Sequence, residues 1–302
     1  MPIIEVTHLK KRYREKVAVE DVSFTVEKGE IFGILGPNGA GKTTTVECIE
    51  GLRNPDKGTI TTLGLDPRRD AKKLRPRIGV QLQESELPDR LKVWEALSLY
   101  SSFYPNPARW EQLLDDWDLT EKRNSTFGKL SGGQKQRLFI ALALIGNPEV
   151  AFLDELTTGL DPQARRHTWG LIENIRSRGV TVVLVTHFME EAERLCDRLA
   201  VIDKGRVVAL DTPAGLVSHV DDDQRVRFRP STAFKEQLLT ELPEVTAVTH
   251  NGTQVVVTGT GNLLQAVTSV LARNQVVANE LRVEQATLDD AFVALTGRKL
   301  DN

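Results

Sequence analysis

Gly36-Pro37-Asn38-Gly39-Ala40-Gly41-Lys42-Thr43 places four residues between two glycines and follows the second with lysine and threonine. A loop of this kind wraps a phosphate in backbone N–H groups. The lysine reaches the β and γ phosphates of a nucleotide and the threonine hydroxyl holds Mg²⁺. The apolar run Ile31–Leu35 precedes the loop and a helical pattern follows it. That order suits the chemistry, because the first turn of a helix offers free N–H groups and a positive dipole end to an anion. A glycine-rich turn with a surface lysine would not require it. A second group is Asp154-Glu155, which ends the apolar run Val150-Ala151-Phe152-Leu153. Ligands of open α/β sheets gather at the carboxyl ends of the strands. Asp154 is therefore expected to coordinate Mg²⁺ through water, and Glu155 to polarise an attacking water. Taken alone, the pair would read as a strand running into an acidic loop.

A third segment, Leu130-Ser131-Gly132-Gly133-Gln134, has the spacing of a capping box, with Ser131 at the cap and Gln134 three residues on. A helix start explains the serine and the glutamine but not two consecutive glycines, which weaken a first turn. Bare N–H groups at such a start form an anion site. With the phosphate loop and the Asp-Glu strand end in this order, the first two-thirds of the chain resembles the ATP-binding subunit of an ABC transporter.

That resemblance implies roles for further residues. ATP contacts fall on Tyr13, Gly36, Asn38, Gly39, Ala40, Gly41, Lys42, Thr43, Thr44, Ser131, Gly132, Gly133, Gln134 and Asp161. Within these, Tyr13 takes the place of the aromatic that stacks on adenine, and Asp161, in Gly159-Leu160-Asp161, lies in the loop that meets the opposite subunit. Catalysis falls on Glu155 and on His187, which follows the strand-like run Val180–Val185 and matches the histidine that holds the γ-phosphate. Mg²⁺ falls on Thr43, Gln83 and Asp154, Gln83 being the glutamine that moves with the helical insertion; Gln81 is two residues away. Two positions depart from the pattern: Leu156 stands where proline is usual, giving up a fixed φ, and Thr158 replaces serine or asparagine. Every ionising group of the pattern is retained. The tail, Thr287–Arg298, resembles the C-terminal end of ATPase subunits in daunorubicin-resistance-type drug export, with sodium- and polysaccharide-export relatives close by.

These residues need a frame. Val22–Val26 alternates as a half-buried strand, while Val150–Leu153 and Val180–Val185 are continuous apolar runs of the kind found in central strands covered on both faces. With helical patterns between them, the first 215 residues read as an α/β, P-loop NTPase core of ABC ATPase type. Trp94, Leu97, Trp110, Leu113, Leu114 and Trp117 recur at helical spacing, which marks a helical insertion over about residues 84–146 and makes the tryptophans core rather than a base-stacking site. Asp203–Arg206 reads as a hairpin turn, and Asp221-Asp222-Asp223 as a solvated linker. Residues 224–302 then read as a small α+β domain of regulatory or accessory role. Its order is a strand over Arg225–Arg229, a helix capped by Ser231, a hairpin turning at Asn251-Gly252, a helix over Leu263–Arg273, a strand over Val276–Val283 and a last helix from Leu288. The first six elements follow the ferredoxin-like β-α-β-β-α-β order.

Composition narrows the function. The chain has 302 residues, 39 Lys+Arg against 42 Asp+Glu, a net charge of −3 and 40% hydrophobic residues. This excludes a globally basic nucleic-acid binder and an acidic disordered chain. Two distant cysteines cannot form a disulfide framework and suggest a reducing cytoplasm. No apolar run reaches the ~20 residues needed to span a bilayer, and the start lacks a signal-peptide pattern. The expectation is an ATPase that forms a dimer, a homodimer, around MgATP and drives a separate membrane permease. It would sit in the cytoplasm on the inner face of the membrane, export a drug-like or lipid-like compound, and bind no nucleic acid. A soluble ABC-type ATPase acting on nucleic acid or ribosomes is the alternative, disfavoured by the single cassette and the lack of sustained heptads. A GTPase or kinase has no use for Leu130–Gln134. A degenerate ATPase with an active tail conflicts with the retained Glu155 and His187.

Overall fold

The computed structural model describes residues 2–81, 86–218, 224–284 and 286–297. The chain divides into two compact units, one ending at Pro213 and the other beginning at Ala214. In the first unit the elements are β1 (Pro2–Tyr13), β2 (Lys16–Glu27), β3 (Ile31–Leu35), α1 (Lys42–Ile49), β4 (Lys57–Thr62), α2 (Ala71–Leu74) and β5 (Ile78–Gln81). They continue with α3 (Val93–Ser101), α4 (Trp110–Asp116), α5 (Gly132–Leu144), β6 (Val150–Asp154), α6 (Pro162–Ser177), β7 (Thr181–Thr186), α7 (Met189–Leu195), β8 (Arg198–Asp203) and β9 (Arg206–Asp211).

The nine strands form one sheet in the order β4-β1-β2-β9-β8-β3-β7-β6-β5. From β8 to β5 all neighbours are parallel, and β4, β1 and β2 form an antiparallel wing. Every residue of β3, β6 and β7 is buried, as their unbroken apolar runs require of strands covered on both faces. β9 alternates exposed and half-buried and returns from β8 through the tight turn at Lys204-Gly205. The mainly parallel sheet is thus as read from the sequence, but the antiparallel wing through β1 and β4 is an addition. Their mixed polar and apolar residues give a weak pattern, because only one face of the wing is buried.

The helical insertion lies between β5 and β6 and holds α3, α4 and α5. Its packing is apolar: Leu97, Leu113, Leu114, Leu119 and Leu138 are buried, and the rings of Phe127 and Phe139 meet edge to face at 5.6 Å. Trp117 is core, whereas Trp94 and Trp110 are half-buried, the latter with the Arg123 guanidinium 5.0 Å from its ring centroid. Helical spacing marked the right face without separating its centre from its rim.

From Pro213 onward come α8 (Pro213–Ser218), β10 (Gln224–Pro230), α9 (Gln237–Thr240), β11 (Val245–Asn251), β12 (Gln254–Gly259), α10 (Leu263–Arg273), β13 (Ala278–Glu284) and α11 (Leu288–Thr296). The four strands β11-β12-β10-β13 form an antiparallel sheet around Val226, Phe228, Val255, Val257, Val267 and Leu271. Two local readings need correction. Ser231 does not cap a helix: its Oγ accepts the N–H of Val277, and α9 begins six residues later at Gln237. The hairpin turns one residue later than expected, at Gly252-Thr253, because Asn251 still pairs with Gln254 and Gly252 supplies the positive φ of +62°. The expected linker Asp221–Asp223 lies outside the described residues.

Candidate active site

β3 ends at Leu35, the loop runs from Gly36, and α1 opens at Lys42, so the strand–loop–helix order holds. Gly41 is the N-cap, at φ +103°, and an added Cβ would lie 2.3 Å from the Ala18 carbonyl oxygen. Only glycine permits both that φ and that approach. The Thr45 amide donates to Gly41 O at 2.9 Å, which starts the helix and leaves the loop amides ahead of it outside the helical ladder.

Lys42 is 5% exposed, and its ammonium donates to Gly36 O at 2.7 Å and Pro37 O at 3.2 Å. Burial lowers its pKa, while the nearby Glu155 and Asp154 carboxylates oppose that shift. Thr43 Oγ1 donates to Asp154 Oδ2 at 3.3 Å, tying the start of α1 to the end of β6. The Asp154 amide donates to Gln81 Oε1 at 3.1 Å, which joins β5 to the same point. Burial, with repulsion from Glu155 behind it, raises the Asp154 pKa from 3.8 to about 6. Its other oxygen, Oδ1, is buried and accepts no hydrogen bond. A threonine hydroxyl beside an orphaned carboxylate oxygen is an all-oxygen donor pair that suits a hard divalent cation. Among the described residues no group of three His, Cys, Asp or Glu side chains comes together as a metal site. A small cation here would take its remaining ligands from phosphate and water, as Mg²⁺ commonly does.

Glu155 follows β6 with φ +49°, a left-handed value rare outside glycine, and its amide still donates to Val185 O at 2.9 Å. The chain therefore turns sharply while remaining pinned to β7. His187, one residue past β7, has Nδ1 3.2 Å from Glu155 Oε1, within reach to donate to it. Both side chains are nearly buried, at 14% and 11% exposed for His187 and Glu155. The parallel pairing of β6 with β7 is what brings the two loops together.

Ser131 caps α5 as its spacing foretold: Oγ accepts the Gln134 amide at 3.3 Å, and Gln134 Oε1 accepts the Ser131 amide at 3.0 Å. Gly132 has open space where a Cβ would stand. Asp161 caps α6, accepting from the Gln163 and Ala164 amides at 3.0 Å each, and those bonds lower its pKa. Ser131, Gly132, Gly133, Gly159 and Asp161 line one cavity of about 490 Å³. None of Gly36–Thr44, Asp154, Glu155 or His187 lines it. The candidate residues thus fall into two groups within one chain.

Tyr13 ends β1, 37% exposed, with the Lys11 ammonium and Arg53 guanidinium 5.4 and 5.6 Å from its ring centroid. Gln83 lies outside the described residues. Leu156 is fully buried, so at the departure from the usual proline the side chain serves the core. Gln81, read from the sequence only as a neighbour of Gln83, braces Asp154 through its side-chain oxygen, whereas sequence reasoning missed Glu191, a fully buried carboxylate on α7. Glu191 lies in Glu190-Glu191-Ala192-Glu193, which reads as a solvated acidic face.

A family model described as "ABC transporter" matches residues 19–158. The chain is 37% identical over 313 residues to the Nod factor export ATP-binding protein I of Burkholderia lata, an alignment covering 100% of each. Among solved structures, an ATP-binding subunit of an ABC transporter superposes with a TM-score of 0.65 at 30% identity, covering 72% of this chain and 92% of that one. A dimeric post-hydrolysis ATP-binding cassette bound to ADP and Pi gives 0.64 at 27%, covering 69% and 98%.

Proposed function

This chain belongs to the ATP-binding subunits of ABC transporters, and on that premise we propose that it hydrolyses MgATP in a dimer and powers export through a separate membrane permease. The observation that carries the reading is the convergence at the ends of β3, β6 and β7. Thr43 contacts Asp154 at 3.3 Å, and Glu155 meets His187 at 3.2 Å. The dimeric cassette bound to ADP and Pi supports the paired arrangement, and the relatives' naming as export proteins supports the direction. No helix among the described residues is long and apolar enough to cross a membrane; in this reading a separate chain supplies the permease and this one works at its cytoplasmic face. The alternative, a cassette acting on nucleic acid or ribosomes, gains no support from these relatives.

The residues divide the work as follows. Loop amides from Gly36 to Thr44, including Asn38, Gly39 and Ala40, surround the phosphates, and Lys42 exchanges its carbonyl partners for phosphate oxygens. Tyr13 stacks on the base. Thr43 and Asp154 hold Mg²⁺, with Gln83 as a further ligand; when bound, the ion offsets the charge on the phosphates and on Asp154. Glu155 orients and polarises the water, and His187 keeps the Glu155 carboxylate in place and reaches the γ-phosphate. In-line attack on phosphorus needs mainly positioning and electrostatics. Ser131, Gly132, Gly133 and Gln134 of one copy, with Asp161, cover the γ-phosphate held by the other, so ATP joins the dimer and hydrolysis releases it. The C-terminal unit acts as an accessory domain to this cassette.

Steady-state hydrolysis of MgATP by the full chain tests the reading. Lys42→Ala removes a charged donor worth roughly 1.5–3 kcal/mol, so kcat/KM should fall about 10- to 100-fold. Turnover at the parent rate in that variant would overturn the assignment of the nucleotide site.

A further inference from the structure

Glu191 is a buried carboxylate to which the proposed chemistry gives no task. It lies on α7 and is 0% exposed. Trp169 Nε1, from α6, donates to its Oε1 at 3.1 Å. Burial raises the Glu191 pKa, and the nearby Thr186 and Thr157 hydroxyls and the Trp169 indole oppose that shift, although Glu191 Oε2 and Thr157 Oγ1 close no hydrogen bond of good geometry. Both threonines are fully buried. Thr186 immediately precedes His187, and its Oγ1 also accepts the Phe188 amide at 3.0 Å. Thr157 lies two residues after Glu155, on the segment leading to α6. The Arg165 guanidinium of α6 rests 4.7 Å from the ring centroid of Phe188, adding a second contact between α6 and the His187 loop.

Glu191 is therefore bonded to the helix that Asp161 caps and lies beside the buried threonines of the segment after Glu155 and the segment before His187. Burying a carboxylate among apolar neighbours is costly unless its partners hold it. A helix-packing role would be met by leucine at no such cost.

We propose that Glu191 is a positioning residue for ATP hydrolysis, fixing the Glu155 and His187 loops relative to each other through Trp169, Thr186 and Thr157. The inference rests on the assignment of Glu155 and His187 as the hydrolytic pair. Without Glu191 the two loops keep their sheet pairing, the Glu155–His187 contact and the Arg165–Phe188 contact, but lose the buried anchor behind them. A displacement near 1 Å at a reacting group can lower turnover on the order of 100-fold. None of the Glu191 partners lies on the phosphate loop or α1, so KM for MgATP should change little.

The test measures kcat and KM for MgATP, with thermal melts, in the full chain and in Glu191→Ala, Glu191→Gln, Trp169→Phe, Glu155→Gln and His187→Ala. Glu191→Ala should lower kcat by about 10- to 100-fold with KM within about twofold. Glu191→Gln keeps the shape and an acceptor for Trp169 and should recover most of that loss. Trp169→Phe keeps the ring and removes only the donor, and should lower kcat by severalfold at unchanged KM; it decides the matter if Glu191→Ala does not fold. A lower melting temperature with kcat retained in Glu191→Ala or Trp169→Phe would reduce Glu191 to a packing residue and overturn the proposal. Failure of Glu191→Gln to recover turnover would overturn it too, since charge rather than geometry would then be at work. If Glu155→Gln and His187→Ala both turn over normally, the hydrolytic pair is misassigned and the proposal falls with it. If they are inactive and Glu191→Ala is not, only the positioning role falls.

Discussion

Asp154→Asn should stabilise the nucleotide-free protein while removing its use for Mg²⁺. Asp154 is 6% exposed and its pKa rises from 3.8 to about 6. A raised carboxyl pKa means that the folded state binds the proton more tightly than the unfolded chain does. Stability from this group is therefore fully present below pH 3.8 and is lost as pH rises through about 6. A shift of two units corresponds to about 3 kcal/mol at full ionisation, an upper figure because Glu155 can move away from its neighbour. Asparagine has no charge to ionise. It can still accept from Thr43, and its amide would replace one orphaned buried atom, Oδ1, with another. Without nucleotide or Mg²⁺, the variant should therefore be more stable by about 1–3 kcal/mol at pH 7.5, which is roughly 2–4 °C in melting temperature per kcal/mol for a domain of this size. The advantage should shrink toward zero near pH 4. Melting curves by circular dichroism in EDTA at pH 4.5, 6 and 7.5 read both effects. With MgATP added, the wild-type chain should gain more stability than the variant. A variant that melts lower than wild type at pH 7.5, or an advantage independent of pH, would refute the electrostatic argument.

Gly41→Ala forces a Cβ to within 2.3 Å of Ala18 O at a φ of +103°. Strain of about 1–3 kcal/mol should weaken binding of a fluorescent ATP analogue by about 5- to 150-fold, seen by titration. Glu50, at the end of α1, is buried, and that burial, ahead of repulsion from Asp154, raises its pKa from 4.5 to about 8. The stability this group supplies is present below pH 4.5 and is lost as pH rises through about 8. Across that window the wild-type chain should lose stability relative to Glu50→Gln at up to about 1.4 kcal/mol per pH unit, measured by urea melts at pH 5, 6.5 and 8.5.

The residues that need a particular backbone were legible in sequence. The phosphate loop, the capping box at Ser131 and the Asp154-Glu155 strand end depend on residue type at fixed spacing, and each forms where its spacing places it. The ends of β6 and β7 were legible too, because strands buried on both faces must be apolar throughout. What could not be read depends on packing across the sheet. The amide of Gln81 bracing Asp154 and the Trp169–Glu191 bond join residues 73 and 22 positions apart. Glu191 sits between two other acids, so only burial distinguishes it from a solvated face. Ser231 has the chemistry of a cap, but an available N–H at Val277 claims its oxygen, and α9 begins later without it. The wing strand β1 was hidden by polar residues that its single buried face tolerates.

The account depends on one arrangement, two copies closing over ATP with the α5 start of each completing the site of the other. The separation of the Ser131 cavity from the Lys42, Asp154 and Glu155 cluster within one chain motivates it. Glu155→Gln keeps the shape and hydrogen bonding of the side chain and removes the base, so bound ATP should persist. Gel filtration with light scattering in saturating MgATP should show that variant as a dimer, and adding Ser131→Arg to it should return it to a monomer by filling the seat of the γ-phosphate. If Glu155→Gln stays monomeric, or dimerises equally well with Ser131→Arg added, the shared-site mechanism is wrong for this chain.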